Sequence, residues 1–286
     1  MTAVALGLVL TSAVIHATWN LLAKRSAGGA PFIWLVMAIG VVAYAPVALV
    51  VAVTQRPHVG GIQLVFIAGS AVLQVAYFLF LQRGYRAGDL SLVYPLARGT
   101  GPLLATAAAI VLYGERPTPI ALCGVALIGV GVFILTGGPA ELMRSGSRAA
   151  VAFALLTGTT IAAYTLWDKY AVSVLALPPV LYYWADILGQ MLLLTPIALR
   201  YRKGVRTEWR THGREALGVG LLSPLSYILV LTALVFSRVS YVAPAREVSI
   251  LLGAILGSRL LTEGREARRL AAAGTIVLGV VALAVG

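Results

Sequence analysis

Charge is scarce in this sequence. Of its 286 residues, 11% are Asp, Glu, Lys or Arg and 60% are hydrophobic, and the mean hydropathy is +0.93. Soluble domains carry roughly 25% charged residues, so an ordinary water-soluble fold is excluded. Cysteine is scarcer still: Cys123 stands alone inside an apolar run, which rules out an intrachain disulfide and leaves the redox compartment unread. No Cys/His spacing suits zinc or haem, so neither a metal site nor a cofactor is expected. Phosphate-binding loops, HExxH and nucleophile elbows are also missing, which leaves ATP-driven transport and the common hydrolase chemistries unsupported and predicts no enzyme. The N-terminal residues lack a basic n-region and their apolar run continues through Trp19, so they read as a retained first span, not a cleaved signal peptide.

What the chain has in quantity is apolar runs. They extend from Ala3 to Ala23, Phe32 to Val53, Ile62 to Leu81, Leu90 to Tyr113 and Thr118 to Leu135, then from Ala149 to Tyr170, Pro179 to Leu199, Ala216 to Phe236, Val239 to Leu261 and Leu270 to Val285. A spanning helix needs roughly 20 apolar residues, so ten spans occupy most of the chain and leave short connectors. The expected fold is an all-α membrane protein of ten transmembrane helices, multi-pass in the cell (cytoplasmic, or inner) membrane, with the lipid bilayer as its partner.

The second five runs repeat the first five. An offset of 145 pairs Trp19 with Tyr164 and Lys24 with Lys169; 150 pairs Trp34 with Trp184 and Pro46 with Pro196; 148 pairs Arg98 with Arg246, Glu115 with Glu263, Ile128 with Ile276 and Gly131 with Gly279. The repeats fall at residues 1–138 and 148–286. With an odd number of spans in each, the second enters the membrane from the opposite side, an inverted repeat of the kind secondary transporters use.

Lys and Arg distribute 16 to 4 between the two sides, with Arg98 and Arg246 inside spans. The excess lies on the side of the loop after the first span, which places that side in the cytoplasm and both termini outside. The basic stretch from Leu199 to Glu215 reads as a cytoplasmic loop, and nucleic acid is not an expected partner.

Ionisable groups inside spans cost at least ~2.5–3.5 kcal/mol and need partners. Arg98, in YPLARGTGP with Tyr94 and Pro95, and Arg246, in APAREVS with Pro244 and Glu247, occupy equivalent places. Proline frees backbone carbonyls and Gly99 and Gly101 let the helix bend, so each arginine serves either a substrate or a structural tie, to helix-end carbonyls, Glu247 or Asp186. On the first span His16, Trp19 and Asn20 share a face. Gln74 and Tyr77 do so on the third, Ser223, Ser226 and Tyr227 on its counterpart, Tyr164 and Trp167 on the sixth, and Tyr183, Asp186 and Gln190 on the seventh. Such stripes line a pocket or simply pack. His16, Asp186 and Glu247 are the candidates for proton coupling. Lys24 and Lys169 are expected to snorkel, and Glu115 and Glu263 to favour the N-terminus of each half's last helix. Gly124, Gly129, Gly131, Gly274 and Gly279 suit close helix packing or the contact of a homodimer.

The segments HATWNLLAK, YRAGDLSLVYPLARGTGPLLATAAAIVLYGERPT and FSRVSYVAPAREVSILLGAILGSRLLTEG resemble the drug/metabolite transporter superfamily, and within it the EamA-type ten-helix exporters. The resemblance implies two inverted five-helix halves around a central cavity, exporting small molecules such as amino acids, drugs or other metabolites, usually driven by a gradient. By position it implies a cavity lined by Trp19, Tyr77, Pro95, Arg98, Tyr164, Tyr227, Pro244 and Arg246. It also implies cytoplasmic termini, against the charge count. Two other classes stay open: a membrane-embedded enzyme with His16 and Asp186 as acid and base, and a non-transporting sensor or assembly subunit. Alkaline phosphatase fused after Gly286 checks the orientation, because it needs disulfides formed outside the cytoplasm. The charge count expects an active fusion; an inactive one, with an active fusion in the loop after the first span, overturns it.

Overall fold

The computed structural model describes residues 1–26, 29–88, 90–136, 148–252 and 266–286. Among these the chain is helical: α1 (Ala3–Ser26), α2 (Ala30–Gln55), α3 (Gly61–Ala87), α4 (Leu90–Leu112), α5 (Pro119–Thr136), α6 (Arg148–Ser173), α7 (Pro179–Arg200), α8 (Arg202–Phe236), α9 (Val239–Ala245) and α10 (Glu266–Val285). Six of them, α1, α2, α3, α6, α7 and α8, are long and apolar enough to cross a membrane, and α4, α5 and α10 contain shorter apolar stretches. The outward faces stay apolar, as at Val42 and Val50 on α2 and Leu64 and Val72 on α3, because lipid, not water, surrounds them.

Prolines mark the helix starts. Pro31 and Pro179 sit in the first turns of α2 and α7, where the missing N–H costs nothing. The expected loop from Leu199 to Glu215 is instead largely helix. α8 starts at Arg202 and turns at His212, whose φ of −127° is non-helical, and Glu208 pairs with His212 Nδ1 at 2.9 Å across one turn. Polar residues solvate this leading section, so it needs no buried face to remain helical.

Helices of one repeat pack chiefly on helices of the other: α1 on α8 and α3 on α6, α4 on α6 and, more lightly, α1 on α9, α2 on α7, α2 on α8 and α3 on α7, α4 on α9, and α5 on α10. Each contact either maps onto itself or onto another in the set when the repeats are exchanged. The matched tryptophans obey the same rule, Trp34 Nε1 donating to Thr195 Oγ1 on α7 at 3.0 Å and Trp184 Nε1 to the Val41 carbonyl on α2 at 2.9 Å. Ser12 and Ser226 bond each other's backbone carbonyls reciprocally, locking α1 against α8.

Two polar residues act differently from expectation. Glu115 does not serve the helix that follows it; its carboxylate accepts the backbone N–H groups of Val239 and Ser240 at 2.8 and 2.9 Å, capping α9 of the other repeat. Lys169 does not reach for the interface but donates to the carbonyls of Leu234 and Ser237 at the end of α8, where a cation meets the negative helix terminus. Glu263 and the Lys24 side chain lie outside the described residues.

Gly124, Gly129, Gly131 and Gly279 pack closely within the chain, whereas a Cβ on Gly274 would meet nothing within 4 Å. A Cβ on Gly124 of α5 would meet the Gly279 carbonyl at 2.6 Å, and one on Gly279 of α10 would meet the Gly124 carbonyl at 2.7 Å, so α5 and α10 touch backbone to backbone. Gly279→Leu is therefore expected to cost about 1–3 kcal/mol or more through overpacking. The loss is read as a lowered thermal midpoint in detergent, and an unchanged midpoint contradicts this contact.

Candidate functional site

The faces predicted as pocket walls converge at mid-bundle. A cavity of about 180 Å³ opens there, lined from the first repeat by His16, Trp19, Met37, Gln74, Tyr77 and Arg98, and from the second by Tyr164, Tyr183, Gln190, Ser223, Tyr227 and Arg246. Both repeats build it from equivalent positions. His16 packs edge-on against Trp19 at 4.6 Å, and Tyr164 stands edge-on to both Tyr77 and Tyr227 at 6.0 and 6.1 Å between centroids. Rigid rings with few torsions hold a wall in place at low entropic cost.

The two arginines differ. Arg98 lies in the unbroken helix α4, with Gly99 and Gly101 helical on either side of Thr100, and it forms a 3.2 Å ion pair with Glu247 at 6% and 4% side-chain exposure. Of the ties expected for Arg98, the one to Glu247 is made. In the second repeat the helix does break: α9 ends at Ala245, and the chain proceeds by i to i+3 bonds, Glu247 N–H to the Pro244 carbonyl and Ser249 N–H to the Arg246 carbonyl. That turn sends neighbouring side chains apart, Glu247 to Arg98 and Arg246 into the cavity, its guanidinium 5.1 Å over the Tyr227 ring.

Behind the tyrosines sits a residue the sequence reading passed over. Asp168 is fully buried and accepts three hydroxyl bonds: Ser70 Oγ at 2.7 Å, Tyr182 Oη at 2.6 Å and Tyr227 Oη at 2.6 Å. Between Trp167 and Lys169, near the end of a span, it resembles an interfacial charge. Its spacing was the available signal, because residues 164 and 168 share one helix face. Asp186, also fully buried, pairs with no arginine among the described residues. Its Oδ2 accepts Nε2 of Gln74 at 2.9 Å and of Gln190 at 2.7 Å, while its Oδ1 has no partner.

The other candidates disperse. Trp167 is not on the cavity: it stacks on Phe66 at 4.3 Å and donates to the Phe66 carbonyl in the α3–α6 seam, because α3 approaches at Gly69 and leaves the indole room there. Asn20 is also off the cavity lining, half-buried on α1. Pro244 lines a much smaller pocket beside Arg98 and Glu247. The side chains of Tyr94 and Pro95 lie outside the described residues. Among the described residues no cluster of ligands suits a metal ion.

Comparison with known proteins divides the chain in the same way. The model of the EamA-like transporter family matches residues 3–137 and again 148–285. No curated protein matches. A solved structure described only as "Crystal structure of protein" is similar at a TM-score of 0.73 over 99% of this chain and 96% of that one, with 15% identity, a likeness of fold alone.

A buried ion pair costs most when only half of it is removed. Arg98→Leu and Glu247→Leu are each expected to destabilise by about 3–5 kcal/mol, and the double variant by less than either single one. Thermal midpoints of the three proteins check this; additive losses contradict it.

Proposed function

The chain belongs to the EamA-like transporter family, and from that premise we propose that it is a secondary active transporter. In this reading ten spans in two inverted repeats rock around the central cavity, exposing it to each side of the cytoplasmic membrane in turn and exporting a small metabolite. The observation that carries the reading is the cavity itself, walled by both repeats and bearing one arginine from each. A site between two halves changes its access when the halves move, which a site inside one half does not.

Cavity size favours a small metabolite over a drug-like compound, since 180 Å³ falls below the ≈300–1,000 Å³ usual for drug-sized ligands. Arg98 is answered by Glu247, whereas Arg246 stacks on Tyr227 and keeps its donors for a solute. A carboxylate or similar anionic head suits that guanidinium, and the tyrosines suit an apolar body. The enzyme reading has less support: among the described residues no hydrogen bond joins His16 to Asp186, which lies behind Gln74 and Gln190.

Proteoliposomes with an imposed pH gradient, offered a mixture of labelled small metabolites, test the proposal. At least one compound is expected to move against its gradient. Arg246→Ala should lower its rate by about 10-fold or more, the loss of a charge-assisted contact, without preventing membrane insertion. Full transport by Arg246→Ala sinks the arginine assignment, and turnover of a compound without vectorial movement sinks the transporter reading.

A further inference from the structure

The buried polar groups of α3, α6 and α7 form one connected network. Gln190 Nε2 bonds Gln74 Oε1 at 3.3 Å and Asp186 Oδ2 at 2.7 Å; Gln74 Nε2 bonds Asp186 Oδ2 at 2.9 Å and Ser70 Oγ at 3.3 Å; Ser70 Oγ then donates to Asp168 at 2.7 Å. Both amide hydrogens of each glutamine and the serine hydrogen are thereby used. Asp168 is answered by three hydroxyl donors, which suits an ionised carboxylate. Asp186 has two amide donors on one oxygen and none on the other, in a residue with no exposed surface.

Among the described residues no charge of opposite sign answers it. Facing it, α3 presents the neutral Ser70 and Gln74, α6 presents Asp168, and its own helix presents Tyr182 and Tyr183. From α8, Tyr227 is bonded to Asp168, and α2 contributes only Tyr44, whose hydroxyl bonds the Leu221 carbonyl. Of the cavity's basic groups, Arg98 is paired with Glu247, Arg246 lies over Tyr227, and His16 packs on Trp19. Two anions joined through a serine and a glutamine in a low-dielectric bundle repel strongly, and Asp168 has the better claim to the single negative charge.

We propose that Asp186 is a proton-binding site, its unpartnered Oδ1 taking up a proton from water and returning it, so that this carboxyl couples proton movement to solute movement. The coupling rests on the transporter reading; the proton site does not. Of the three titratable candidates named from the sequence, His16 packs on Trp19 in the cavity, and Glu247, outside the cavity lining, has one oxygen without a hydrogen-bond partner but is held by the Arg98 guanidinium, an answering charge that Asp186 lacks among the described residues. A metal ion suits the position poorly, because Gln74 and Gln190 turn N–H groups, not oxygens, toward the carboxylate, and hard cations need several oxygen ligands. Gln74 and Gln190 line the cavity, so the carboxyl lies one side chain behind the solute site. Releasing the proton leaves an anion beside Asp168 that only water or a cationic group can answer, which favours a conformation in which the network opens.

Infrared titration of the purified protein in lipid, with no solute added, tests the site. The chain holds three aspartates, Asp89, Asp168 and Asp186, so 13C-labelled aspartate isolates the signal without any substitution. The expected result is a protonated-carboxyl C=O band that shifts with the label, fades as pH rises, and is absent from Asp186→Asn. In labelled Asp186→Glu an unshifted band should return, which separates loss of the group from loss of fold. No labelled band, a band that persists in Asp186→Asn, or a band removed by sodium at constant pH overturns the proposal. A band that behaves as expected in a chain that moves no solute contradicts the transporter reading and leaves the proton site standing.

Discussion

A charge inside a lipid-surrounded bundle persists only where other groups of the protein answer it, and this constraint shapes the centre of the molecule. Arg98 is answered by Glu247, Asp168 by three hydroxyls, and Arg246 by the face of Tyr227. Asp186 is answered on one oxygen only. Tyr227, Gln74 and Gln190, which supply several of these answers, also wall the cavity, so charge compensation and cavity shape are linked.

The answers also cross between repeats. The Arg98–Glu247 pair joins α4 to the turn after α9, Ser70 joins α3 to Asp168 on α6, and Gln74 joins α3 to Asp186 on α7. Changing the charge or ligation of any of these groups therefore changes the balance between arrangements of the two halves, which is how differential binding drives a conformational change. The α5–α10 contact, made through glycine backbones, lies apart from this polar centre and holds the halves together without using it.

Much of this was legible in the sequence. Apolar runs and the charge pattern pointed to membrane helices, and the matched registers pointed to the repeat, because helix periodicity and proline positions are local properties. The paired arginines were found for the same reason. Their different fates were not, since Glu247, just past the break after Ala245, meets Arg98 from the other half, a contact that no local pattern reveals. Trp167 had the spacing of a wall residue, but which face a helix turns toward the cavity is settled by its neighbours, here Gly69 on α3. Asp168 escaped because its local surroundings, Trp167 and Lys169, describe a helix end, while its three hydroxyl partners come from α3, α7 and α8. Glu115 and Lys169 likewise serve helix ends far away in sequence.

The central claim, that the cavity between the repeats opens to each side in turn, is tested most directly by accessibility at Ser223, a half-buried cavity residue of α8. In a Cys123→Ser background, Ser223→Cys would be exposed to a membrane-impermeant thiol reagent added to one side of oriented vesicles and then to the other. The account predicts labelling from both sides, with the two rates moving in opposite directions when the imposed pH gradient is reversed. Labelling from one side alone under every condition would contradict it.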